Sequence, residues 1–254
     1  MILVLAGTTE GREVTGLLQR EGMAVSTAVL SPYGAELLPH KDGNGLVGPL
    51  DRERLKGWIN IKDIQAVVDA THPFALQISQ LAMRVTAEMS IPYIRLERPQ
   101  LELPRHPLVK TVDRLEQMEA YFQAGQSVFS TLGTNHLEQL LKMAVRQKAR
   151  LIARVLPLAD VVGRCAEAGL SPDQIIALKG PFSQELNQHL FLHSGADLIL
   201  SKDSGQVGGL DSKIQAALAL EIPIVVWLRP TLDYPLLVNS ASEVIDYLRI
   251  WRNQ

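Results

Sequence analysis

The chain has 254 residues, 46% of them hydrophobic and 20% charged, with 18 Gly and 14 Pro. This composition excludes disordered, collagen-like and low-complexity classes and leaves room for one or two domains with proper cores. With 25 Lys and Arg against 27 Asp and Glu the formal charge is −2, so no long-range field recruits nucleic acid or an anionic membrane.

Cys165 is the one cysteine, so no internal disulfide forms and a reducing compartment suits the chain. The opening Met1-Ile2-Leu3-Val4-Leu5-Ala6 is too short for a signal-peptide core, and no apolar run approaches a membrane span. A cytoplasmic protein is expected.

In chain order, a strand over 2–5 leads into a helix over 10–21, and a strand over 24–30 ends at Leu30-Ser31-Pro32-Tyr33-Gly34. A helix over 51–58, a strand over 64–69, a helix over 75–88 and a strand over 93–96 follow. Beyond them, strands over 127–130, 151–155, 175–178, 197–200 and 224–228 alternate with helices over 135–148, 183–193 and 212–220. Apolar runs without clean alternation fit strands buried on both faces, and their alternation with helices gives βαβ units.

An internal echo suggests two halves. Ile91-Pro92-Tyr93-Ile94-Arg95-Leu96-Glu97-Arg98-Pro99 matches the form of Ile222-Pro223-Ile224-Val225-Val226-Trp227-Leu228-Arg229-Pro230, and each is followed by a proline-containing loop and a helical stretch. The expected fold is α/β: two Rossmann-like doubly wound domains with mainly parallel sheets and a ligand cleft between them. The expected domains are 1–99 and 100–254, joined near the prolines at 99, 104 and 107, with both contributing to the cleft.

In such sheets the loops leaving the carboxyl ends of strands face the ligand. The first strand runs into Gly7-Thr8-Thr9-Glu10-Gly11-Arg12 and a helix begins at once, the position of a dinucleotide phosphate loop. Gly7 permits the turn, Gly11 lets the helix pack close, and Glu10 is expected to point away from the phosphates. The alternative is an ordinary strand-to-helix turn. At the end of the second strand the acidic residue that holds a free ribose 2′-hydroxyl is missing; Ser31 with Arg12 suits a 2′-phosphate, which favours NADPH, with NADH as the alternative.

Gly43-Asn44-Gly45-Leu46-Val47-Gly48 fits G-x-G-x-x-G by letter but follows a polar loop, so it reads as a turn and short strand leading to Asp51, a helix N-cap.

Asp69-Ala70-Thr71-His72-Pro73-Phe74-Ala75 leaves another first-half strand, where Pro73 can open the following helix and Thr71 and His72 face the crevice. His72 is either a ligand-contacting or proton-donating group or the histidine of a capping loop. In the second half, Lys179-Gly180-Pro181-Phe182-Ser183 and Ser201-Lys202-Asp203-Ser204-Gly205-Gln206-Val207-Gly208-Gly209 follow strands, with Lys213 in the next helix. The glycines let backbone amides approach a ligand; a flexible loop with solvated lysines is the bland alternative. His189 and His193, at i and i+4, lack a third ligand and read as a surface pair; no metal site is expected.

Taken together, Gly7–Arg12, Tyr33-Gly34, the segment 69–75, Arg95–Pro99, Arg154-Val155-Leu156-Pro157, the segment 180–187, Lys202–Gly209 with Lys213, and Arg229-Pro230 resemble the precorrin-6A reductase (also cobalt-precorrin-6A reductase) family of cobalamin biosynthesis. The resemblance spans nearly the whole chain. It implies an oxidoreductase in which a reduced nicotinamide transfers hydride to a macrocycle double bond, turning precorrin-6A, metal-free or cobalt-containing, into precorrin-6B.

On that resemblance, Gly7, Thr8, Thr9, Glu10, Gly11, Arg12, Ser31, Tyr33, Thr71 and His72 are the expected cofactor-binding residues. His72 is also a candidate proton donor, beside water. The tetrapyrrole carries several carboxylates, so Arg98, Arg154, Lys179, Lys202, Asp203, Ser204, Gly205, Gly208, Gly209, Lys213 and Arg229 are the expected substrate-binding residues. Leu132-Gly133-Thr134-Asn135-His136 stands where the family has a Gly-Arg-Lys-like turn, and Asn135 and His136 receive no role. No partner beyond small molecules is implied, and the oligomeric state is left open. The competing readings are a non-catalytic NADP-sensing regulator and another nicotinamide reductase acting on a polyanionic metabolite.

Overall fold

The computed structural model describes residues 1–38, 45–99, 102–205 and 208–252. Strand β1 (Ile2–Leu5) is buried at every residue because Ile2 and Val4 face one core while Leu3 and Leu5 face another. It is followed by α1 (Thr9–Arg20), β2 (Val25–Val29), α2 (Pro32–Glu36), β3 (Gly45–Val47), α3 (Arg52–Ile61), β4 (Ala66–Asp69), α4 (Leu76–Glu88) and β5 (Tyr93–Leu96). The chain continues through β6 (Val109–Val112), a 3₁₀ segment (Leu115–Tyr121), β7 (Ser127–Ser130), α5 (Leu137–Gln147), β8 (Arg150–Val155), α6 (Ala159–Glu167) and β9 (Ile175–Ala177). It ends with α7 (Gln184–His193), β10 (Leu198–Lys202), α8 (Leu210–Ala219), β11 (Ile224–Trp227), β12 (Leu237–Val238) and α9 (Ala241–Arg252).

Among the described residues the strands form two six-stranded sheets, in the orders β3-β2-β1-β4-β5-β12 and β9-β8-β7-β10-β11-β6. Every pairing is parallel. Both are the 3-2-1-4-5-6 order of a Rossmann sheet, whose ligand crevice opens at the carboxyl ends of its first and fourth strands, where the winding reverses. Helices cover both faces of each sheet. In the second, Val128 and Leu200 pack toward Leu140, Met143 and Cys165, while Phe129 and Ile199 pack toward Phe191 and Ile214. Cys165 is an apolar filler there.

The chain divides into two compact units, residues 1–99 with 230–254, and residues 100–229. The chain leaves the first unit at the expected boundary, but residues 230–254, expected in the second domain, return to the first. Burial explains the return: Val244, Ile245 and Leu248 of α9 complete the core that Val14 and Leu18 of α1 begin, and Leu237 and Val238 extend the sheet beside β5. In the same way β6, which follows β5 in sequence, is the outer strand next to β11. Each sheet's sixth strand thus comes from the segment following the other sheet's fifth, and the sequence echo runs through both.

Asp51 caps α3 as expected, accepting from the Arg54 N–H at 2.8 Å. Gly45–Val47 forms the short strand expected before it; Gly43 and Asn44 of the same motif lie outside the described residues, as do Gln206 and Val207. Pro73 does not open α4. It lies in a turn closed by the Ala75 N–H to the His72 carbonyl at 2.8 Å, and the helix starts at Leu76. Among the described residues no helix is long and apolar enough to cross a membrane.

Candidate functional site

In the first unit the β1–α1 turn is shaped by small residues. Gly7 is exposed, with φ +149°. A Cβ on Gly11 would lie 3.0 Å from the Ala6 backbone, so only glycine lets α1 start this close to β1. The Thr8 hydroxyl caps α1, accepting from the Gly11 N–H at 3.1 Å, and donates to the Ala70 carbonyl at 2.8 Å, tying the turn to the end of β4. That bond spans the point where the sheet order reverses. The Thr9 and Glu10 amides remain at the open end of the helix, where an anion is favoured.

The Glu10 carboxylate, expected to point away from the phosphates, meets the Arg98 guanidinium at 2.6 Å. Arg98, expected to bind the substrate, is engaged in this ion pair. The Arg12 guanidinium donates to the Thr9 hydroxyl at 2.9 Å, and Ser31 caps α2, accepting from the Gly34 N–H at 3.1 Å. Tyr33 is half-buried in the first turn of α2.

Behind the Thr71–His72 loop stands a buried network that sequence reasoning did not assign. Asp69, at the end of β4, accepts from the Thr71 N–H and hydroxyl at 2.9 and 2.7 Å, from the Tyr93 phenol at 2.6 Å and from Arg95 at 2.9 Å. Arg95 is fully buried and also pairs with Glu97 at 2.8 Å, with Tyr234 stacked over its guanidinium. Burial, then the Asp69 charge, pushes the Tyr93 phenol far above its ordinary value. The signal was present in the sequence: an arginine inside an otherwise apolar strand calls for polar partners buried beside it. The network fixes Thr71, and the His72 Nδ1 accepts from the Phe74 N–H at 3.2 Å, which places the proton of a neutral ring on Nε2.

The second unit presents a different surface chemistry at its own strand ends. Arg154, the fifth residue of β8, is 8% exposed; it donates to the Asn187 side-chain carbonyl at 2.7 Å and stacks on Phe182. Burial pushes its pKa down to about 10. Lys213, on the first turn of α8, donates to the Gly208 carbonyl at 3.0 Å. Burial, then Arg154 and Lys202, pushes its pKa down to about 7, and burial also lowers that of Lys202.

Asp203 is held by Arg229 at 3.1 Å and accepts from the Gly205 N–H at 3.2 Å. The Ser204 hydroxyl is buried with no hydrogen-bond partner among the described residues. A Cβ on Gly208 would strike the Ser204 carbonyl oxygen at 2.7 Å, so the loop closes tightly before Gly209, the N-cap of α8. Lys179 is exposed, in the loop after β9. Phe182 and Asn187, within the 180–187 segment marked in the sequence, and His136, which lies edge-on to Trp227 at 5.0 Å, had been assigned no role. Phe182 and Asn187 are placed there by the loop before α7 and by the first turn of that helix.

The predicted residues thus fall into two groups, each at the carboxyl edge of one Rossmann sheet. The first group is a glycine-hydroxyl turn with paired charges, the second a set of buried cations. This defines the class: a two-unit Rossmann-type protein. The profile of the family described as precorrin-6x reductase CbiJ/CobK matches residues 1–249, and the chain belongs to that family.

It is 32% identical over 256 residues to the cobalt-precorrin-6A reductase of Priestia megaterium, covering 98% of each chain. It is 33% identical over 248 residues to that of Methanocaldococcus jannaschii, covering 97% of each. A solved structure of CobK precorrin-6A reductase superposes with TM-score 0.79 over 98% of this chain and 96% of that one, at 21% identity, and so shares the fold. The protein is accordingly an oxidoreductase of cobalamin biosynthesis.

Proposed function

We propose that the chain reduces one double bond of precorrin-6A, or of its cobalt form, with NADPH, giving precorrin-6B. The first unit holds the nucleotide and the second holds the carboxylates of the tetrapyrrole. The observation that carries this reading is the contrast in charge at equivalent strand ends. In the first unit the strand-end arginines are paired with acids, and the open feature is a helix N-terminus behind a glycine turn. In the second, among the described residues, no carboxylate pairs with the buried Arg154 or Lys213.

A dinucleotide fits the first turn: Gly11 admits the close approach of helix and strand, and the Thr9 and Glu10 amides at the start of α1 would hold its phosphates. Ser31 follows β2, at whose end the adenosine ribose is expected, no acidic residue stands among residues 30–34, and Arg12 on the first turn of α1 supplies a cation; that combination favours a 2′-phosphate. When bound, the reduced nicotinamide supplies hydride. The protein's own residues orient: Asp69 fixes Thr71, and the neutral His72 ring offers its Nε2 N–H as a hydrogen-bond donor beside it, while the proton for the carbon next to the one reduced comes from water. In the second unit, Arg154, Lys202, Lys213, Arg229 and the Ser204 hydroxyl bind and hold the acidic side chains of the macrocycle. A lone, buried cysteine suits work in the cytoplasm.

Mixing the protein with NADPH and precorrin-6A, metal-free or cobalt-loaded, and following the loss of reduced-nicotinamide absorbance tests the reading. Turnover of the macrocycle is expected. Tight nucleotide binding without turnover contradicts it and favours a sensor, and turnover only with a different polyanion assigns another substrate.

A further inference from the structure

The ion pair between Glu10 and Arg98 is out of place in two respects. A carboxylate on the second residue of α1 favours the empty helix N-terminus but repels a diphosphate arriving at the same amides. Arg98 follows β5, two strands away from β1 in the sheet, yet its guanidinium meets a residue at the start of α1. The contact is 2.6 Å, with side-chain exposures of 20% and 16%, so the pair is largely removed from solvent.

The second unit offers an internal comparison. Arg229 stands at the position of the sequence echo that Arg98 occupies, just before proline and after the fifth strand, and it too is held by an acid, Asp203, at 3.1 Å. In both units the arginine of the Arg-Pro step is committed to a carboxylate at the strand-end crevice.

We propose that Arg98 is a positioning residue for the nucleotide that acts through Glu10: it cancels and holds aside the Glu10 carboxylate, so that the β1–α1 turn accepts a diphosphate. The inference rests on the nucleotide site proposed above, and it moves Arg98 from substrate contact to cofactor support. Without Arg98, Glu10 is a bare negative charge at the phosphate turn. Without both charges, the turn is a neutral glycine-hydroxyl anion site again. A residue that touched the nucleotide or the substrate directly would behave differently, because removing Glu10 would not restore what its loss removed.

The test is a double-mutant cycle on NADPH affinity, by calorimetry, with wild type, Arg98→Ala, Glu10→Gln and the double variant. Arg98→Ala is expected to weaken binding by about tenfold or more, and the double variant to return to within about threefold of wild type. Glu10→Gln alone is expected to bind at least as tightly as wild type, with a steeper salt dependence from the released guanidinium; this arm stands even if Arg98→Ala fails to fold. Arg98→Lys, which keeps the charge, is expected to recover most of the affinity lost in Arg98→Ala.

A double variant as weak as Arg98→Ala overturns the proposal and makes Arg98 a direct ligand contact. A folded Arg98→Ala that binds like wild type, or a Glu10→Gln that binds more weakly, overturns it as well. A wild-type protein that binds neither NADPH nor NADH contradicts the nucleotide site itself, a different failure from any result of the cycle.

Discussion

The two units share one winding and differ in how charge is handled at the same place. At the end of β4 and β5, Asp69, Glu97 and Glu10 answer Arg95 and Arg98. At the end of β10 and β11, Asp203 answers Arg229, while Arg154 and Lys213 lie buried beside neutral partners, an amide side chain and a backbone carbonyl. A sheet order sets where a ligand goes, and a few strand-end side chains set which ligand. Balanced charge around a glycine turn suits phosphates bound by backbone amides. Buried cations without a counter-ion are costly until an anion arrives, which suits a polycarboxylate.

The comparison is broken most severely by removing an acid from the balanced end. Asp69→Ala leaves Arg95 buried beside Glu97 alone and the Tyr93 hydroxyl without its acceptor. A loss of about 3–5 kcal/mol in urea unfolding is expected, and a loss under 1 kcal/mol would show that the network is not what holds this edge.

Leu248→Ala, in a helix expected in the other domain, is the next largest. Leu248 is fully buried against the first-unit core, so a cost of about 2–5 kcal/mol is expected. Because α9 belongs to the first unit, amide exchange should speed up in α1 and β1 and leave β7 and β10 unchanged.

The second unit is sharpened by pH. The pKa of Lys213 is depressed to about 7 in the folded chain, whereas an unfolded lysine titrates near about 10.4. Between those values the unfolded chain binds more protons, so stability rises as pH rises from about 7 toward 10. Wild type should therefore gain on Lys213→Met over that range, read as a difference in urea midpoints. A gap that is flat or narrows in wild type's disfavour contradicts the buried cation.

The smallest effect distinguishes cofactors. Arg12→Ala is expected to weaken NADPH by about tenfold, roughly 1.4 kcal/mol, and NADH by much less. Equal losses would separate Arg12 from the 2′-phosphate.

Much of this was legible in the sequence. The β1 run and the glycine turn after it follow from two-sided burial and from the short link to α1, and the echo around Pro99 and Pro230 exposed the repeated winding. What escaped was non-local. Nothing in residues 230–254 alone says which core Leu248 will enter, because an amphipathic helix reports that it has an apolar face and not what covers it. Arg98 looked like a strand-end cation free for substrate, since its partner Glu10 is 88 residues away in sequence. Phe182 and Asn187 lie in a segment the sequence had marked, but their contacts with Arg154 depend on how that segment packs against β8, which the local sequence does not encode.

The most direct measurement is a paired binding experiment on two variants, Gly11→Val in the first unit and Arg154→Met in the second, each titrated with NADPH and with the macrocycle. Gly11→Val should lose NADPH and still bind the tetrapyrrole, while Arg154→Met should keep NADPH and bind the tetrapyrrole at least about tenfold more weakly. Should folded Gly11→Val retain NADPH, or folded Arg154→Met lose the nucleotide and keep the macrocycle, the division of labour between the two units is wrong.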